Sequence, residues 1–184
     1  MAVGNYSTDF HVVPGVRLAG ISCGIKGLDQ LDLVLFEFVS GSATAGIFTQ
    51  SHFAAAPVLV GREHLDHSNS RYFLINSGNA NAATGDEGKF DAVICCKALS
   101  QRTGVRPDEV IPFSTGVIGE KLQVSNITDA LSELIPTLDE TNWLLAAKGI
   151  MTTDTRPKVA TRRLEIEGKA VTITGIAKGS GMIQ

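Results

Sequence analysis

Short apolar runs alternate with glycine- and asparagine-bearing breaks along the chain, and their spacing predicts the elements. Residues 16–25, 31–39, 46–49 and 71–77 are rich in Val, Ile, Leu and Phe, are bounded by turn residues, and read as strands. The first clear helix is expected over about 90–103, where Ala92, Val93, Cys96 and Leu99 recur at helical spacing and Gly104 stands as the C-terminal stop. A strand over 110–114 follows, and then helical stretches over 127–138 and 142–150 that Pro136 breaks. Residues 164–167 and 169–175 form a hairpin around Gly168, with the second arm continuing to Ala177. After it comes a glycine-flanked loop over 178–181, and then only Met182, Ile183 and Gln184. A glycine-rich loop after a strand normally delivers the backbone to a helix or a ligand. The expectation is therefore that this polypeptide is one piece of a larger covalent product.

Strands and helices that come in groups rather than in strict alternation favour a layered α/β or α+β sandwich over a doubly wound parallel sheet. The 184 residues, 43% of them hydrophobic, suffice for the core of one domain spanning 1–184. A formal charge of -3, with no basic run longer than Arg162-Arg163, gives no footprint for nucleic acid or anionic lipid. No apolar stretch approaches the ~20 residues of a membrane span, and residues 1–9 are too polar for a signal peptide. A cytoplasmic protein is expected.

Three cysteines, Cys23, Cys95 and Cys96, two of them adjacent, make neither a disulfide framework nor a zinc spacing. Cys95 and Cys96 lie inside an apolar helical run and are expected to pack. His11, His52, His64 and His67 are scattered, with no metal spacing and no obvious Ser/His pair, so surface or packing roles are expected for them. No GxGxxG follows a strand, and no glycine run carries the lysine and hydroxyl of a P-loop. No metal and no cofactor are expected.

Small and polar residues are instead concentrated in four runs: NSGNANAATG (76–85), STGVIG (114–119), MTTDTRPK (151–158) and AKGSGM (177–182). The first could be a tight turn and helix entry and nothing more. The second pairs the Thr115 hydroxyl with the flexible backbone N–H of Gly116, a donor pair suited to a developing oxyanion, although a plain strand-to-loop turn has the same composition. In the third, hydroxyls and the Asp154 carboxylate converge where a helix ends, and capping explains some of them. In the fourth, Lys178 stands in a loop whose glycines let a ligand approach the backbone.

Taken together with GIFTQSHFAAAPV (46–58), these runs, in this order and over nearly the whole chain, resemble the ornithine acetyltransferase family of arginine biosynthesis. The resemblance implies a precursor that cuts itself before a threonine into an α chain and a β chain, with this sequence similar to the α chain. It implies an α/β sandwich like that of N-terminal-nucleophile hydrolases, completed by the β chain and paired into an α2β2 assembly. The implied reaction moves the acetyl group of N-acetylornithine to glutamate in a ping-pong cycle. The β chain's N-terminal threonine is the nucleophile and its own α-amino group the base, which accounts for the lack of a histidine triad. By the same resemblance Thr115 and Gly116 supply the oxyanion hole and Thr152 and Lys178 contact substrate, with Asn79 and Asn81 left without an assigned role. Whether acetyl-CoA also serves as donor stays open. Two other readings remain: a related self-processing aminopeptidase or amidase, and a non-catalytic amino-acid-binding module.

Overall fold

Leu33, Val34, Leu35 and Phe36 follow one another in a single strand, and their side chains alternate between two apolar layers, so the sheet that holds them is covered on both faces. The computed structural model describes residues 10–180; the polar segment 1–9 and the terminal residues 181–184 lie outside them. The central sheet has the order β1 (Val16–Ile21), β2 (Leu33–Phe38), β3 (Tyr72–Asn79), β4 (Val110–Val117). β1 and β2, and β2 and β3, pair antiparallel, whereas β3 and β4 pair parallel through a crossover that contains α2 (Gly85–Thr103).

On one face, Ala19, Leu33, Leu35 and Leu74 pack with Cys95, Cys96 and Leu99 of α2 and with Ile127, Leu131 and Leu134 of α3 (Val124–Leu134). On the other, Leu18 and Val34 meet Trp143 and Ala146 of α4 (Trp143–Gly149), with Ile75, Ile150 and Ile176 packed against them. Ile176 comes from the hairpin of β5 (Lys158–Ile166) and β6 (Lys169–Ala177), which forms a separate two-stranded sheet. Helices, sheet, and then α4 with the hairpin make a layered α/β sandwich.

Several expectations require correction. Residues 46–49 are not a strand, because the extended segment has no pairing partner there. It leads instead to a helix absent from the sequence reading, α1 (Ala56–His67), which begins with a proline in its first turn and packs on β4 and α2. Its signal is weak because Val58, Leu59 and Val60 form a run rather than a helical stripe, and Gly61 sits mid-helix. Gly61 fits its place: a Cβ there would stand 3.3 Å from Ile111 Cγ2. β1 stops at Ile21 rather than reaching residue 25, since the next residues turn around Asp32, whose carboxylate accepts the N–H of Cys23 (2.6 Å) and of Lys26 (2.9 Å). Conversely, β5 starts six residues before the expected 164, paired from Lys158 to Ile166 against β6.

The cysteines behave as core residues. Cys96 is fully buried and Cys95 nearly so. Burial, with help from Asp91, pushes the Cys95 thiol up to about 12, and burial and Asp32 do the same for Cys23. His64 is buried too, its Nδ1 2.7 Å from the Val110 carbonyl oxygen, and so ties α1 to β4.

Candidate active site

β3 and β4 run parallel and end together, which brings two of the polar runs side by side. At that end the pairing is irregular: Asn79 faces both Thr115 and Val117 across a bulge. Gly78 (φ +109°) and Gly116 (φ +138°) meet there backbone to backbone. A Cβ on Gly116 would lie 2.2 Å from the carbonyl carbon of Gly78, and one on Gly78 would lie 2.7 Å from Lys26 Cγ. Only glycine fits either place.

Asparagines hold this geometry. Ser114 Oγ donates to Asn76 Oδ1 (2.6 Å), and Asn76 Nδ2 donates to the Asn79 carbonyl (2.8 Å). Asn79 Nδ2 reaches the carbonyls of Glu120 and Lys121 beyond β4, and its Oδ1 accepts the N–H of Asn81 (2.8 Å). Asn81, at φ +45°, donates to the Gly88 carbonyl in the first turns of α2 (2.8 Å). Asn79 is 1% and Asn81 0% exposed, so both are scaffold that shapes the loop carrying Thr115 and Gly116. The run 76–85 is thus a helix entry, and also the frame on which the second run is built.

Thr115 lines a cavity of about 740 Å³ between the sheet and the β5–β6 hairpin, and Lys178 lines the same cavity. Its floor is aromatic: Phe38 and Phe73 meet edge to face at 4.6 Å between centroids, Phe73 and Phe113 at 5.1 Å, and Phe36 and Trp143 at 6.3 Å. Gly116 follows Thr115 at the sheet end, and Thr152 joins the group indirectly, through Asp154.

Asp154 is the connecting element that the sequence reading did not assign. Its side chain is 1% exposed. Oδ1 accepts the Lys158 ammonium and the N–H of Gly179 (2.8 Å); Oδ2 accepts the N–H of Thr152 (3.4 Å) and lies 3.8 Å from Lys178 Nζ. A further link comes from the hydroxyls of Thr153 and Ser180, 2.9 Å apart. Burial opposes ionisation of Asp154, but the Lys158 ammonium and the two N–H groups outweigh it and hold the carboxyl down at about 2. The sequence signal was a carboxylate four residues before a lysine, which looks like ordinary helix-end polarity until Lys178 arrives from the far end of β6.

Because the Asp154 pKa is depressed, its contribution to stability is complete above the ordinary aspartate value of ~3.9 and is lost as pH falls through about 2. In the full-length protein an acid titration of the thermal midpoint should show a loss between those values that Asp154→Asn reduces. An identical acid profile in the variant would show that the carboxylate is not held in its charged form.

Lys26, also unassigned in the sequence, donates from Nζ to the Met151 carbonyl (2.8 Å). Burial lowers its pKa, as does the neighbouring Lys178 ammonium, against the opposing pull of Asp32. Lysines 26, 158 and 178 therefore stand against the carboxylates of Asp32 and Asp154, which leaves these five described residues one positive charge in surplus. That surplus suits an anionic ligand. Among the described residues no group of three or more His, Cys, Asp or Glu side chains is placed to hold a metal ion, and no helix is long and apolar enough to cross a membrane.

A layered α/β sandwich of the N-terminal-nucleophile hydrolase kind, with small-residue loops gathered at one sheet end, defines the class. The chain belongs to the ArgJ family, which it matches over residues 17–184. It is 51% identical over 178 residues to the arginine biosynthesis bifunctional protein ArgJ of Methylococcus capsulatus, covering 96% of this chain and 43% of that protein. Against the protein of the same name from Pseudomonas syringae it is 47% identical, covering 95% of this chain and 43% of the relative. The chain thus spans less than half the length of the curated relatives it matches. Among solved structures, the arginine biosynthesis bifunctional protein ArgJ of Bacillus halodurans superposes with a TM-score of 0.86 at 31% identity, covering 93% of this chain and 90% of that one. Ornithine acetyltransferase complexed with ornithine, from Mycobacterium tuberculosis, gives 0.83 at 32% identity, covering 93% and 91%.

Proposed function

We propose that this chain is the α chain of an enzyme that transfers the acetyl group of N-acetylornithine to glutamate. The observation that carries the reading is that Thr115, a hydroxyl donor at the end of β4, and Lys178, a cation, line one cavity in a family whose solved relative binds ornithine. The nucleophile is the N-terminal threonine of a β chain cut from the same precursor. Its hydroxyl attacks the acetyl carbonyl, and its α-amino group takes the proton and passes it to the departing amine of ornithine. The amine of glutamate then attacks the threonine ester and leaves as N-acetylglutamate. Thr115 and the Gly116 N–H receive the negative charge that develops on the carbonyl oxygen, while Thr152 and Lys178 hold the substrate, Lys178 through a carboxylate.

Two observations support a second chain. The solved chains are nine-tenths covered by a polypeptide that spans only 43% of a curated relative, as expected if relatives are divided near this point. The cavity's aromatic floor also leaves Phe113 41% exposed, and an apolar surface of this kind is normally covered. An α2β2 assembly in the cytoplasm, without a metal or a bound cofactor, completes the proposal.

Incubating the full-length protein with N-acetylornithine should leave an acetyl group on a threonine-led chain, seen by mass spectrometry, and release ornithine. Adding glutamate should then discharge it as N-acetylglutamate. Release of acetate with no transfer would favour a self-processing amidase, and no acetyl-enzyme at all would favour a non-catalytic binding module. Repeating the assay with acetyl-CoA decides whether it is a second donor.

A further inference from the structure

Both residues assigned to substrate contact hang on one buried carboxylate. Thr152 follows α4 and Lys178 follows β6, two segments far apart in sequence, and Asp154 joins them: it takes the Thr152 N–H on Oδ2, the Gly179 N–H on Oδ1, and stands 3.8 Å from the Lys178 ammonium. We infer that Asp154 is a positioning residue, which sets where Lys178 and Thr152 meet the substrate and how much of the Lys178 charge the substrate receives. The inference rests on the proposed roles of Thr152 and Lys178.

The division of labour between the two lysines supports it. Lys158 makes the close pair with Asp154 Oδ1, whereas Lys178 lies at a looser distance from Oδ2, close enough to be oriented without the direct hydrogen bond that Lys158 makes. A carboxylate already satisfied by Lys158 and two N–H groups therefore holds Lys178 in place and leaves its ammonium for an anionic partner. Lys26, fixed on the Met151 carbonyl, is near enough to repel Lys178 and so disfavours positions that bring the two ammoniums together.

The test is steady-state kinetics on the full-length protein. Asp154→Asn keeps the shape and can still accept the Gly179 N–H, but its amide NH2 replaces the oxygen that faces the Thr152 N–H and the Lys178 ammonium, so it removes the charge and the acceptor that joins those two residues. Its KM for both N-acetylornithine and glutamate should rise ~10-fold, with kcat changing less than ~3-fold, as expected for a lost charge-assisted contact. Lys178→Met should raise KM by a similar factor, and the double variant should be no worse than the worse single one. A purely structural Asp154 would lower the melting temperature and the active fraction without moving KM.

Unchanged KM in Asp154→Asn beside a raised KM in Lys178→Met overturns the inference and leaves the reading of Lys178 intact. Unchanged KM in Lys178→Met overturns that reading and the inference with it. Multiplied effects in the double variant also overturn the inference, since the two would then act independently. Should Asp154→Asn not fold, Lys158→Met takes its place. Asp154 then loses its closest cation and draws the Lys178 ammonium onto itself, so KM should again rise, and an unchanged KM overturns the inference.

Discussion

Thr115→Ala in the full-length protein should lower kcat for acetyl transfer about 100- to 1,000-fold while KM stays within about 3-fold, because an oxyanion-hole donor acts on charge that exists only in the transition state. Thr115 stands where β4 ends, on the wall of the cavity, and the strand to its N-terminal side is buried over Val110, Ile111 and Pro112. The alanine variant therefore keeps the strand and the Ser114–Asn76 bond that fixes it, and loses only the hydroxyl and a methyl. The loss corresponds to ~3 kcal/mol of barrier stabilisation. Thr115→Ser restores the hydroxyl and should recover most of the rate. A Thr115→Ala enzyme with unchanged kcat would remove Thr115 from the oxyanion hole, and one with raised KM and unchanged kcat would make it a substrate-binding residue instead.

The layered class of fold could be read from the sequence because its main elements announce themselves locally. α2 ends at Gly104, in the left-handed conformation expected of a C-terminal stop, and α3 ends before Pro136, which lies in a 3-10 turn. The tight turn of the last hairpin, with Glu167 at φ +51° and Gly168 at φ +74°, was equally visible. What was not visible depends on partners remote in sequence. Residues 46–49 have strand composition but no strand beside them, and α1 carries strand-like residues yet packs as a helix against β4. β3 and β4 run past Ser77 and Ser114, where the sequence suggests turns, because each supplies the other's hydrogen bonds through Gly78 and Gly116.

The same distinction applies at the site. Thr115 and Gly116 share a short run whose composition suggests the chemistry, and the structure puts Thr115 and Lys178 in the lining of one cavity. Asp154 is visible in the sequence only as a carboxylate at a helix end, and Lys26 carries no local signal, because their roles are defined by contacts with Lys178 and Met151 on distant segments. Asn79 and Asn81 had no readable role, since an asparagine in a turn and an asparagine buried under one have the same local sequence.

Gly116→Ala should be more damaging to catalysis than Thr115→Ala, lowering kcat at least ~1,000-fold, since it displaces both proposed donors at once. Two costs combine. At φ +138° any side chain strains the backbone, by ~1–3 kcal/mol. The new Cβ would also stand 2.2 Å from the Gly78 carbonyl carbon and 2.4 Å from its oxygen, atoms of a paired strand that cannot rotate away as a side chain could. β4 must then separate from β3 at the bulge, carrying the Gly116 N–H and the Thr115 hydroxyl with it. The comparison that isolates this cause is Gly104→Ala at the end of α2, where φ is +77° and nothing lies within 4 Å of an added Cβ. Gly104→Ala should lose ~1 kcal/mol of stability with kcat nearly intact, because only the conformational cost remains. Thermal melting and kcat measured on both variants separate the two costs. A Gly116→Ala enzyme that keeps its kcat within about 10-fold would mean that the sheet end relaxes without moving its donors, and the oxyanion hole would have to be sought elsewhere.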